Sequence, residues 1–384
     1  MLRLRLIPFS LLLALAAAAL LPCNAAVAQG PEKKSDLAAN AALQYWLAFS
    51  QMASLDKDQE KLLADWSTVP VDDPAVEKLL GSSQTTLMFL HRGAPLPRCD
   101  WGLEYNDGIS MLMPHLAKAR DLARLAALDG RRAFEHKNWK AARRDATSMM
   151  VLARHIGQDP VMIALLVRLA MEGMVVDLVA PYVPEMKASH SQAVAMFEAM
   201  PTAPGLVESI RFEKKWMAGW IVPKLKEEEQ RQKGAGLELW KKFLDADAPE
   251  AVKNVKSVEE VYKLVEEGFP VYDDLARLAA LPNDQFDVQY PPFKQKTKAE
   301  KPVAALLLPA IDSLRAKQQR HQARLAMLLA SIAVAESGPE KLKEIKDPFG
   351  SGPFDYKPLD KGFELKSKLT YEGQPVTLTI GQRK

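Results

Sequence analysis

The chain has 384 residues, 48% of them hydrophobic and 26% charged, with a formal net charge of +3. Near-balanced, interspersed charges exclude the basic face of a nucleic-acid or polyanion binder. The two cysteines, Cys23 and Cys99, exclude a disulfide scaffold, and the length is ample for a large unstapled core.

The N-terminus, MLRLRLIPFSLLLALAAAALLPCNAAVAQG, joins a short basic region (Arg3, Arg5) to an apolar run from Leu6 to Leu21. Ala26-Val27-Ala28 then matches an A-x-A cleavage site, so residues 1–28 are expected to be a signal peptide. Its removal takes two arginines, no acid and Cys23, leaving 49 basic against 48 acidic side chains and Cys99 alone. No later segment has an uninterrupted membrane-spanning length, because VMIALLVRLAMEGMVVDLVA carries Arg168, Glu172 and Asp177. The expected location is therefore periplasmic or extracellular, with no stable membrane span after cleavage.

From 29 to 346 the pattern predicts a helical body. Leu43, Trp46, Leu47 and Phe49 make one stripe; short helices are expected over Asp56–Trp66 and from Pro74 to about Leu90. RGAPLPRCDWGLEYNDG is a loop leading to a helix near Ile109, with Asp107-Gly108 as its turn and cap. Leu112, Leu116, Ala119, Leu122 and Ala126 trace one helix face, and Trp139, Ala142, Ala146, Met149, Met150 and Ala153 another. A further helix runs from Val161 to about Val179, and a second helical block from Pro204 to about Glu267, with Trp216 and Trp220 on one face. Residues 281–302, with paired Pro291-Pro292, read as a long surface loop before a last helix, Val303–Ala335. One continuous domain is expected.

Residues 347–384 change period. Phe363, Leu365, Ser367 and Leu369 alternate with charged residues, VTLTI repeats the alternation, and Phe354–Lys357 adds a shorter strand. The expected fold class is thus mainly α, a multi-helix body with helical hairpins and a small C-terminal antiparallel β-meander. The meander is expected to clasp the Val303–Ala335 helix through Phe363, Leu365 and Leu369. Asp347 and Asp355 matter little in that reading unless one caps a turn.

Three resemblances follow from these residues. ALDGRRAFEHKNWKAARRDATSMM, with Gly130 twelve residues before Ala142 and Asn138-Trp139 in the turn, resembles one tetratricopeptide hairpin. No 34-residue recurrence accompanies it, so it implies a hairpin and not an array. A long helix, Gly-Pro, DPFGSGPFDYK and GFELKS resemble the tails of type II secretion pseudopilins over about forty residues. That family can hold calcium there, but this chain continues KLTYEGQ without the acidic loop. Over the whole length, CDWGLEYNDG, LMPHLAKARDLARL, ARRDATSMMVLARHIG and the tail resemble a group of secreted helical proteins of planctomycete bacteria. That resemblance implies export and a helical body, with no activity to carry over.

The best sequence cluster for chemistry is RCDWGLEYNDGISMLMPH, which holds Cys99, Asp100, Glu104, Asp107 and His115. Carboxylates and an imidazole suit acid–base work or a hard metal, though the spacing matches no metal signature. Cys99 reads as a buried, inert thiol. His91, His115, His136, His155, His190 and His321 are scattered and form no zinc motif, and neither a phosphate loop nor a GxSxG elbow occurs. No metal or cofactor is expected. These features point away from an enzyme and toward an exported, non-catalytic helical protein in an interaction or scaffold role. Its expected partner is a protein or a cell-surface polymer and not nucleic acid. The alternative is a hydrolase-like enzyme with Asp100, Glu104, Asp107 and His115 as its acidic site. Mass spectrometry of the exported protein should find an N-terminus near Ala28; one still at Met1 refutes the signal reading.

Overall fold

The structure, a computed structural model, describes residues 39–52, 54–244, 248–305 and 308–382, so the expected signal peptide lies outside the described residues. In chain order the helices are α1 (Ala41–Gln51), α2 (Lys57–Ala64), α3 (Pro74–Ser82), α4 (Gln84–Gly93), α5 (Pro114–Glu135), α6 (Trp139–Ile156), α7 (Met162–Val179), α8 (His190–Glu198), α9 (Leu206–Arg231), α10 (Ala235–Phe243), α11 (Glu250–Lys253), α12 (Val258–Ala279), α13 (Asn283–Glu300), α14 (Pro302–Ala305) and α15 (Leu308–Ser337). Short 3-10 segments occupy Tyr105–Ser110, Ala180–Glu185 and Pro339–Glu344. The strands β1 (Asp355–Pro358), β2 (Phe363–Tyr371) and β3 (Gln374–Ile380) form one antiparallel sheet in sequence order. The chain is mainly α with a C-terminal β-meander.

The expected single body divides into two compact units. One comprises Ser35–Trp101, Pro114–Leu206 and Ser313–Lys384; the other comprises Gly102–Met113 and Val207–Asp312, each over its described residues.

In the first unit, α5 and α6 form the expected hairpin. Ala119, Ala123, Ala126 and Ala127 of α5 and Ala142 and Ala153 of α6 are all without exposure, and the two helices pack together. Asn138 caps α6 by accepting from Ala141 N at 3.3 Å. A Cβ on Gly130 would lie 3.2 Å from Leu178 Cδ2 and 3.3 Å from Asp145 Cβ, so glycine there lets α7 and α6 close on α5.

Helix α1 buries only Phe49 of the stripe read from its sequence. Ala41, Ala42, Tyr45, Ala48 and Phe49 point inward, whereas Leu43 (42%), Trp46 (36%) and Leu47 (44%) are the exposed ones. Small residues win because α1 packs tightly on α4: a Cβ on Gly93 would lie 2.6 Å from the Tyr45 ring. The helix expected from Pro74 breaks at Ser83. Both Ser82 and Ser83 turn their hydroxyls back onto Leu79 O, at 2.9 and 2.7 Å, competing with the helical ladder.

Buried charge joins α6, α7 and α15. Glu172 is faced by Arg154 Nε at 2.5 Å and by His321 Nε2 at 2.7 Å. Burial works to raise its carboxyl, but the bond to His321 and the charges of His321, Arg154 and Arg168 outweigh it and hold it below the usual range.

The second unit closes around Ile221, Val222 and Leu225 of α9, Trp240 of α10 and Val258, Val261 and Val265 of α12. Gly234 (φ +89°) ends α9, and the Glu229 carboxylate accepts from Gly234 N and Gly236 N to start α10. Trp216 and Trp220 separate: Trp216 donates to Tyr105 O at 2.7 Å, while Trp220 covers Gly108. The helix expected near Ile109 starts instead at Pro114, because Gly108 (φ 58°, ψ −133°) breaks helical geometry just before.

Residues 281–302, expected to be a loop, are largely α13. Phe286, Tyr290, Phe293 and Thr297 recur at helical spacing; Phe286 and Tyr290 are buried, with rings stacked at 4.6 Å. Pro291 and Pro292 leave the carbonyls of Asp287 and Val288 without helical donors. Both residues are exposed, Val288 by 74%, so water can serve those carbonyls.

The meander belongs to the first unit. Its register pairs Phe363 with Ile380 and Leu365 with Leu378, all buried, while Leu369 is half-buried. β3 lies against Ala180–Glu185, with Gly381 N donating to Ala180 O, and Arg324 of α15 lines one surface pocket with Thr377, Leu378 and Thr379. α15 reaches the sheet with Arg320, 4.8 Å from the Tyr371 ring centre. Asp347 does cap a turn. Fully buried, it accepts from Phe349 N (3.0 Å), Lys368 N (2.7 Å) and Ser367 Oγ (2.9 and 3.0 Å).

Asp347→Asn would aim an amide donor at one of these donors and should cost about 1–3 kcal/mol. Asp355→Asn, which loses an exposed pair with Lys368, should cost less than about 1 kcal/mol. Leu365→Ala should cost about 2–5 kcal/mol. Urea unfolding of the three variants checks the order; equal effects of the two asparagines would contradict it.

Candidate binding site

The residues singled out from sequence are placed very differently. Asp100, Glu104 and Asp107 are exposed, while His115 has no exposed surface. Asn40 holds Asp100 through its backbone: the side chain donates to Asp100 O and accepts from Asp100 N. Glu104 and Asp107 belong to the other unit, in and before the turn Tyr105–Ser110. A solvated carboxylate and a wholly buried imidazole do not line one cleft. Among the described residues, no group of three or more His, Cys, Asp or Glu is placed to hold a metal ion.

His115 is a packing element. Its ring stacks on Trp101 with centres 4.6 Å apart, Trp46 meets it edge-on, and neither ring nitrogen has a hydrogen-bond partner. Burial lowers its pKa to about 4. Burial likewise lowers His155 to about 4, with Tyr45 Oη 2.8 Å from its Nδ1. At Cys99 burial, then the charges of Asp159 and Asp100, push the thiol well above its usual range, so the thiolate is disfavoured.

The structure assembles a different constellation. A cleft of about 710 Å³ opens between the end of α4 with its following loop, α6, and the α8 segment. Lys140, Arg144 and Ser148 lie at i, i+4 and i+8 along α6, with Arg143 and Thr147 beside them, so one helix face presents three cations. Leu96, Val151, Met196 and Met200 supply the apolar wall, and no carboxylate lines the cleft. Lys140 and Arg143 form no ion pair among the described residues. α8 buries none of its own residues and is tethered to α15 by His190, which meets Leu329 O and Glu336.

At the back of the cleft His91 bridges two residues of α6. Its Nδ1 lies 3.0 Å from Ser148 Oγ and its Nε2 lies 3.1 Å from Asp145 Oδ1. Asp145 has no exposure, and Arg144 meets the same oxygen at 3.2 Å. Burial, followed by the charge of Asp145, pushes the neighbouring Asp129 up to about 6. This group was missed because His91 is 54 residues from Asp145 in the chain. Its sequence signal is a polar pair, Asp145 and Ser148, set one turn apart among Ala142, Ala146, Met149 and Met150.

Compared with protein-family models, with curated proteins and with solved structures, the chain matches none.

The two depressed histidines make stability depend on pH. Between about 6.5 and 4 the unfolded chain binds protons that folded His115 and His155 refuse, so stability should fall as pH drops through that window. Each shift corresponds to roughly 3 kcal/mol. His115→Phe should keep the stack on Trp101, leave stability at pH 7 within about 1 kcal/mol, and remove about half of this loss. Denaturant unfolding at pH 7 and pH 4.5 checks it; an unchanged acid loss in the variant would contradict the assignment.

Proposed function

We propose that the protein works by binding, and that its cleft takes an acidic segment of a partner polypeptide. The observation that supports this is an excess of positive charge: of three cations on one face of α6, two form no ion pair among the described residues, around an apolar wall with no acid. A cleft of this size and mixed lining suits a few side chains of both kinds, one carboxylate on Lys140 or Arg143 and an apolar neighbour against Met196 and Met200. A polysaccharide would leave the apolar wall unused, which favours a polypeptide among the expected partners. Methionines adapt to different apolar shapes, so the wall suits a range of sequences. Export to the periplasm or exterior is part of the same proposal, supported by the N-terminal pattern.

The test is fluorescence anisotropy with a labelled peptide of alternating Glu and Leu. Binding should weaken as salt rises, and Lys140→Glu with Arg143→Glu should reduce affinity at least about 10-fold. Unchanged affinity in the double variant overturns the reading. So does full displacement of the peptide by polygalacturonate at equal charge concentration, which would make the ligand an acidic polymer.

A further inference from the structure

We propose that Ser148, His91 and Asp145 form a nucleophilic relay that hydrolyses carboxylic esters in this cleft. The inference goes beyond ligand binding and does not depend on the ligand being a peptide.

Asp145 and Ser148 are three apart on α6, so they share a face, and His91 at the end of α4 reaches both. A ring placed 3.0 Å from a hydroxyl on one nitrogen and 3.1 Å from a carboxylate on the other has the order a relay needs. Nε2 stands at ion-pair distance from Asp145 Oδ1 without hydrogen-bond geometry, and in the tautomer that carries its proton there the Nδ1 lone pair faces the Ser148 hydroxyl, so the relay requires a small rotation of the ring onto Asp145. Exposure falls in the matching order: His91 keeps 15% of its side chain open, Ser148 lines the cleft, and Asp145 is sealed behind them. Asp145 acts through His91, as a positioning residue that fixes the ring and faces its charge.

In the acylation step Ser148 Oγ bonds to the ester carbonyl carbon while its proton passes to His91 Nδ1. The charged ring then faces the Asp145 carboxylate across the 3.1 Å ion pair. When the tetrahedral adduct collapses, the C–O bond to the alcohol breaks and the departing oxygen takes the proton from Nδ1. Water then adds to the acyl-serine through the same nitrogen, releasing the acid and restoring the hydroxyl. The negative charge on the carbonyl oxygen develops one turn from Arg144, the nearest cation along the same stripe, which in the resting structure is paired with Asp145.

The full-length protein is treated with a fluorophosphonate probe, which phosphonylates activated serines, and the adduct is mapped by peptide mass spectrometry. An adduct on Ser148 is expected, formed about 100-fold or more slowly in His91→Gln, with loss of p-nitrophenyl butyrate hydrolysis in Ser148→Ala. Asp145→Asn should slow labelling at least about 10-fold, a rate that a merely structural carboxylate would not set. Because Asp145 is buried, melting curves accompany that variant, and the decisive comparison is the unmodified protein with His91→Gln. No adduct on Ser148, or one formed at the same rate in His91→Gln, overturns the relay. Peptide binding is measured on the same preparation: binding without labelling defeats the relay alone, and labelling without binding defeats the binding proposal alone.

Discussion

A carboxylate with no contact with water is the constraint around which the first unit is arranged. Asp145 sits inside the α5–α6 hairpin, where Gly130 offers no side chain and α4 and α6 converge. An unpaired charge there would cost several kcal/mol, so its surroundings are obliged to answer it. Arg144 and His91 both meet its Oδ1. Once His91 is drawn inward to Asp145, its second nitrogen falls on Ser148. The polar wall of the cleft is therefore a consequence of burying one acid.

Glu172 repeats the logic on the far side of α6. Arg154 and His321 satisfy it from two helices, and Arg168, on its own helix, sends its guanidinium to Pro204 O. Such pairs add little net stability over an apolar core of similar volume, but they fix which helix faces meet. A mostly apolar helix such as α7, buried on nearly every side, would otherwise have few features to choose its rotation. The tail follows the same rule at smaller scale: Asp347 gathers two backbone donors and one hydroxyl, and so locks the turn before β1 to the middle of β2.

Sequence periodicity determined the helices of the body, the hairpin at Asn138 and the meander with its strands. These are local matters: spacing of apolar residues, caps and turn glycines act within a few positions of one another. It misjudged α13, where Pro291-Pro292 outweighed the stripe of Phe286, Tyr290 and Phe293 in the reading. Of the α1 stripe only Phe49 turned inward, while Leu43, Trp46 and Leu47 are exposed. What only the tertiary structure decided was the pairing of distant parts. Close approach of α1 to α4 favours alanine over leucine at the interface, which no hydrophobicity scale anticipates. The turn Ala180–Glu185, far from β3 in the chain, receives that strand. His91 meets Asp145 and Ser148 across 54 and 57 positions, whereas Asp100 and His115, close in sequence, end at the surface and in the core. Proximity in the chain says little about which side chains share a cleft, because helix rotation and packing set that, and those are settled by contacts between elements far apart in sequence.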